Sequence, residues 1–74
     1  MSELRLRDAR NYSRRIRIAA PENPKRHGSQ SARDFDLYRD NMPVVEYLQD
    51  TTIPRRRARA NLAWDIERGH ITIT

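Results

Sequence analysis

The chain reads as a small single-domain α+β protein, with two to three short helices and a minor sheet built from N-terminal strands and a C-terminal strand. Three observations lead there. Apolar residues alternate with polar ones near both ends, they recur at spacings of three and four in between, and 74 residues leave room for one domain.

The N-terminal strands come first. Leu4 and Leu6 interleave with Arg5 and Arg7, and Ile16 and Ile18 interleave with Arg15 and Arg17, so each run has an apolar and a basic face. Paired as a hairpin, the two runs would be joined by residues 8–13. Each holds only two apolar residues, and an isolated hairpin is marginal in water. Residues 1–30 therefore read as a basic arm, a hairpin plus loop that is partly flexible before it meets a partner, serving binding more than stability. Within it, residues 19–31 (AAPENPKRHGSQS) carry two prolines and a glycine and read as loop.

Residues 31–74 read as a compact helical domain ending in a short strand. Phe35, Tyr38, Met42 and Val45 share one helical face, which Pro43 interrupts, so the run divides near Asp40. Asn41 is then the expected N-cap of a helix from Met42 to about Asp50, with Val44 and Leu48 on its inner side. A third helix has the clearest punctuation: Thr52 as N-cap, Pro54 in the first turn, Gly69 just past the end. Ala58, Leu62 and Ile66 repeat every four residues and form its buried stripe. Beyond Gly69, Ile71 and Ile73 alternate with threonines as a terminal strand able to pair with an N-terminal run.

Composition bounds the function. Fifteen basic residues face ten acidic ones, a net charge of +5, and all the basic residues but Lys25 are arginine. Such a balance favours encounter with polyanions, and arginine's planar fork suits phosphate and carboxylate. The charge is blocked: net +5 over residues 1–30, −3 over 31–53 and +3 over 54–74. No cysteine is present, which excludes disulfides and thiolate metal sites and suits the cytoplasm. No apolar run approaches the ~20 residues of a membrane span, and the charged opening MSELRLRDAR lacks the apolar stretch of a signal peptide. The chain is expected to stay in the cytoplasm, off the membrane, as a monomer.

Nothing in the chain resembles catalytic machinery. His27 and His70 have no partner at a recognisable spacing, and there is neither a phosphate-binding glycine loop nor a nucleophile motif. Asp34, Asp36 and Asp40 lie close together, but Arg33 and Arg39 stand among them, and surface ion pairing accounts for the group. The expectation is a binding protein without metal or cofactor.

Two groups of residues suggest where it binds. Arg55, Arg56, Arg57 and Arg59 open the third helix, where the helix dipole prefers acidic side chains; a local rule broken in this way marks a candidate partner site, the alternative being a solvated face whose counter-charge comes from Asp65, Glu67 or the acidic middle of the chain. Trp64 falls on the side of that helix shared with Arg57, Ala60 and Arg68, so that Trp64 and Arg68 either join the partner site or Trp64 is buried against the N-terminal strands. In the arm, Tyr12 sits among Arg5, Arg7, Arg10, Arg14, Arg15 and Arg17, a composition suited to lie near nucleic acid, RNA or DNA, without reading its sequence.

Two functions fit these features. One is a helix-turn-helix DNA-binding repressor, with residues 42–50 as first helix and the arginines opening the recognition helix. Against it stand a turn without glycine and no evident dimer surface. The other rests on a resemblance. In brevity, arginine-rich N-terminus and compact C-terminal half, the chain resembles the small RNA polymerase regulators of lytic phages, among them one from a Xanthomonas phage. That resemblance rests on overall build and carries no functional residue with it. It implies a protein bound to the catalytic subunits of bacterial RNA polymerase, inhibiting initiation by displacing the σ factor and acting as an antiterminator.

Overall fold

The computed structural model describes residues 13–74. In order along the chain, the elements are β1 (Arg15–Ile18), α1 (Gln30–Phe35), β2 (Met42–Pro43), α2 (Val44–Leu48), α3 (Arg55–Glu67) and β3 (Ile71–Ile73). This is the α+β class expected, with three helices packed on a three-stranded antiparallel sheet of order β2-β1-β3.

Period-two alternation dictates how the sheet is used. Ile16 stands opposite Ile73 and Ile18 opposite Ile71, so four isoleucines share the face turned to the helices, while Arg15, Arg17 and Thr72 take the outer face. Each isoleucine fully buried contributes about 1.5–3 kcal/mol, and Ile16 and Ile71 are completely buried. The terminal strand thus pairs as the sequence suggested. Among the described residues, β1 pairs with β2 along one edge and with β3 along the other. The Leu4–Leu6 run falls outside the described residues. The central strand of the sheet, β1, lies before residue 30.

The middle of the chain departs most from expectation. Helix α1 starts inside the segment read as loop, where the Ser29 hydroxyl oxygen accepts the Ala32 amide proton at 3.1 Å. It ends at Phe35, so Tyr38 and Met42 reach the core from a turn and from β2 instead of from a helix. Asn41 is not an N-cap. It takes the left-handed conformation (φ 70°), one of the few roles in which asparagine rivals glycine, and its N–H donates to the Ile16 carbonyl at 2.6 Å. Pro43 ends β2 and caps α2, which is only five residues long; Val44 and Leu48 are buried on it as expected, together with Tyr47.

Helix α3 begins after Pro54, which occupies the N-cap without a side-chain bond. Thr52 is not the cap: its hydroxyl and amide both donate to the Asp50 carboxylate, at 2.5 and 2.8 Å. At the other end Gly69, at φ 77°, makes the expected left-handed stop. Its N–H donates to Ile66 O at 3.1 Å, and the His70 N–H donates to Asp65 O at 2.9 Å, the paired bonds of a Schellman motif. Ala58 and Leu62 are fully buried, whereas Ile66 is only partly so. The third inward residue of α3 is Asp65.

Candidate partner-binding surface on α3

Two buried carboxylates organise the space between α3 and the rest of the domain. Asp65 is 1 % exposed; Tyr38 Oη donates to its Oδ2 at 2.8 Å, and Lys25 Nζ lies 2.7 Å from Oδ1. Asp34, 2 % exposed, accepts from Arg57 Nε at 2.8 Å, from Asn61 Nδ2 at 2.9 Å and from Gln30 Nε2 at 3.0 Å. Burial works against the charged form of Asp34. The hydrogen bonds from Asn61, Gln30 and Arg57 together outweigh it and hold the carboxyl below its ordinary range.

Two stacked tyrosine rings join the halves. Tyr38 and Tyr47 lie 4.4 Å apart between centroids, and Asn61 Nδ2 donates to Tyr47 Oη at 3.1 Å. Burial raises both phenols; the neighbouring Tyr47 and Asp65 push Tyr38 further, while at Tyr47 the bonds with Asn61 and Tyr38 partly offset the rise. Tyr47 is pushed up to about 12 and Tyr38 further still, so both remain neutral donors over the physiological range.

This network settles where the basic residues of α3 go. Arg57 is an internal ion-pair partner of Asp34, with its side chain 38 % exposed, and not part of an open cluster. The three aspartates expected to form one surface group serve different ends: Asp34 is buried, Asp36 accepts from Asn23 at 2.9 Å, and Asp40 accepts from Arg17 Nε at 3.1 Å and from the Ile18 N–H at 3.0 Å. Arg33 and Arg39 pair with none of them. Arg33 donates to Gln30, and Arg39 pairs with Glu46. At 100° per residue, Arg55 and Arg59 sit on the flank of α3 away from Trp64, and Arg56 is exposed between the two flanks.

Trp64 and Arg68 are brought together. Trp64 is 51 % exposed, the largest apolar side chain so placed among the described residues, and the Arg68 guanidinium carbon lies 3.9 Å from its ring centroid. The indole is therefore outside the core. It forms one wall of an open groove of about 550 Å³ between α3 and the loop before α1, lined also by Pro24, Lys25, Arg26, Ser29 and Ala60. Asn23 fixes that loop: its amide donates to Ala32 O and its carbonyl oxygen accepts from Lys25 N–H, each at 2.9 Å. Sequence reasoning missed Lys25 and Arg26 because they stand in a proline-rich loop, with no periodicity to aim them.

The arginines of the arm divide too. Arg5, Arg7 and Arg10, with Tyr12, lie outside the described residues. Arg14 donates to Ile73 O and Arg15 to Asn41 O, both at 3.3 Å, and with Arg17 they are exposed. They give the sheet a basic outer edge and face, remote in sequence from the α3 groove.

The helix-turn-helix geometry is not reproduced. Helix α2 has five residues, and six residues separate it from α3 where that motif has a turn of three or four. Among the described residues no three metal-ligating side chains gather, and no helix is long and apolar enough to cross a membrane. Set against family profiles, curated proteins and solved structures, the chain finds no match.

Proposed function

We propose that this protein is a non-catalytic transcription regulator that binds bacterial RNA polymerase together with the nucleic acid the enzyme holds. The observation that carries the proposal is the pairing of exposed Trp64 with Arg68 on a thirteen-residue helix. Tryptophan and arginine are the residues that dominate binding energy where partners meet, and this half-exposed indole stands outside the core cluster. The chain around it carries +5, which suits a partner rich in phosphate. The resemblance to phage polymerase regulators names the machine, and with it the expected consequences: loss of σ at initiation and read-through of terminators.

Capture from a nuclease-treated bacterial lysate on the tagged protein tests this reading. The catalytic subunits of RNA polymerase are expected among the retained proteins, and in a purified system the protein should lower σ-dependent initiation. Selection from a random duplex library that converged on one sequence, with preference over random DNA of ~10³ or more, would instead establish a sequence-reading repressor.

A further inference from the structure

We propose that the groove between α3 and the loop before α1 is a single-stranded nucleic-acid site, with Trp64 stacking on an unpaired base and Arg26 and Arg68 meeting the flanking phosphates. This rests on the regulator reading above and names which component of the transcription machinery the groove touches.

The lining has one sign of charge. Lys25 and Arg26 stand on the loop side and Arg68 lies over the indole, while no carboxylate lines the groove. The buried carboxylates behind it are consumed within the fold, Asp65 by Lys25 and Tyr38, Asp34 by Arg57, Asn61 and Gln30, and the exposed Glu22 and Glu67 are not among its lining residues. Most of the polar lining is equally committed. Ser29 Oγ donates to Arg26 O at 2.6 Å while capping α1, and the Asn61 amide serves Asp34 and Tyr47. Among the described residues, the Arg26 and Arg68 guanidinium groups make no ion pair, and these are the groups left to take a phosphate.

The indole selects the form of the nucleic acid. Stacking on an aromatic side chain needs a base whose face is open, which a duplex does not offer and a single strand does. Arg68 lies 3.9 Å and Lys25 Nζ 5.9 Å from the ring centroid, so a base stacking on the exposed part of the indole would join a ring already held between cations, whose cation–π attraction adds to the stack. An acidic peptide would satisfy the cations and leave the indole without a partner of matching area. The groove is also firm: Asn23 staples the loop to α1, and Lys25 anchors it to Asp65 in α3.

Trp64 is the chain's single tryptophan, so its fluorescence reports on this groove alone. The test titrates oligothymidylate, and separately a duplex of equal length, into the full chain and into the variants Trp64→Ala and Arg26→Glu. Both positions are exposed, and a thermal melt checks that each variant is folded. The single strand is expected to quench the indole and the duplex to do so weakly. Trp64→Ala should weaken single-strand binding, read by anisotropy of a labelled strand, roughly 5- to 150-fold, the equivalent of one stacked base. Arg26→Glu should weaken it as well and flatten its salt dependence. Equal affinity for the duplex, or unchanged affinity in folded Trp64→Ala, overturns the site. Capture of polymerase by both variants is measured alongside. Polymerase binding that needs Trp64, with no response to the oligonucleotide, overturns this inference and leaves the regulator reading standing, with the groove facing protein. Single-strand binding as described with no polymerase captured does the reverse.

Discussion

Lys25, the only lysine in the chain, reaches out of the loop before α1 to within 2.7 Å of the Asp65 carboxylate, which is buried on the inward face of α3. One contact thereby ties a proline-bearing loop to the longest helix and holds up one wall of the groove. The lysine side chain is 16 % exposed, so neither charge is well solvated. Removing one partner of such a pair costs far more than replacing both, because the survivor is stranded in a poor dielectric.

Lys25→Met is accordingly expected to destabilise the domain by about 3–5 kcal/mol. A chain of this size commands roughly 4–11 kcal/mol in all, so the variant should lose a large share of its stability. Lys25→Met combined with Asp65→Asn should recover much of the loss. Denaturant melts of the two single variants and the double variant close the cycle, and a double variant as unstable as the sum of the singles would show the two residues to be uncoupled.

The position of β1 gives a second expectation. Ile16 is fully buried at the centre of the sheet, with β2 on one edge and β3 on the other. Ile16→Ala should cost about 2–5 kcal/mol. Deleting residues 1–18 should abolish cooperative unfolding altogether. A truncated chain that still melted cooperatively would mean that the helices suffice without the sheet.

What the sequence disclosed follows from the range of each interaction. Gly69, the Ala58–Leu62 stripe and the Ile71–Ile73 strand were legible because a glycine stop, a repeat of four and a repeat of two are each written within a few residues. The burial of Asp65 was legible as well, since it lies three residues after Leu62 and seven after Ala58; it escaped because an aspartate is assumed to face water. Tyr38 and Met42 misled for the opposite reason. Their helical spacing from Phe35 is real, but the left-handed turn at Asn41 delivers them to the same core without a helix. Nothing local to Arg57 announces Asp34, twenty-three residues away, so the cluster at the start of α3 read as one patch when it is divided.

The buried ionisable groups set a pH range. Asp34 has its folded-state pKa below the ordinary 3.8, so its contribution is complete above that value and is lost as pH falls through the lowered one. Tyr47, raised from 10.0 to about 12, behaves in the reverse sense: its contribution is complete below 10 and disappears as pH climbs toward 12, with Tyr38 acting in the same direction. Each titrating group gives a slope of roughly 1.4 kcal/mol per pH unit inside its window. Denaturant melts across pH should thus show a broad plateau with losses at both ends. Asp34→Asn should remove its share of the acid limb while lowering the plateau. Tyr47→Phe should shallow the alkaline limb, and an alkaline limb identical in Tyr47→Phe would mean that this phenol ionises without unfolding.

The arginines at the start of α3 provide the last expectation, because neighbours in sequence should respond oppositely. Arg57 donates to Asp34 through two nitrogens, at 2.8 and 3.4 Å. Arg57→Glu would set a carboxylate against a buried one that has lost its charged donor. Hydrogen bonds to charged groups are worth about 1.5–3 kcal/mol; as the Arg57 side chain is 38 % exposed, solvent screening places the expected loss toward the lower end, about 1–2 kcal/mol. Arg56 is exposed one residue earlier, at a helix start whose dipole favours negative charge. Arg56→Glu should therefore leave stability unchanged or raise it by about 0.3–1 kcal/mol, while weakening attachment to a polyanionic partner through charge reversal. Thermal melts of the two single variants separate the roles, and a titration of polymerase with folded Arg56→Glu reads the binding. If both variants melt like the parent chain, the Asp34 pair contributes nothing in solution. If Arg56→Glu binds as tightly as the parent, Arg56 belongs to a solvated face, and what attracts the partner lies in Trp64, Arg68 and Arg26.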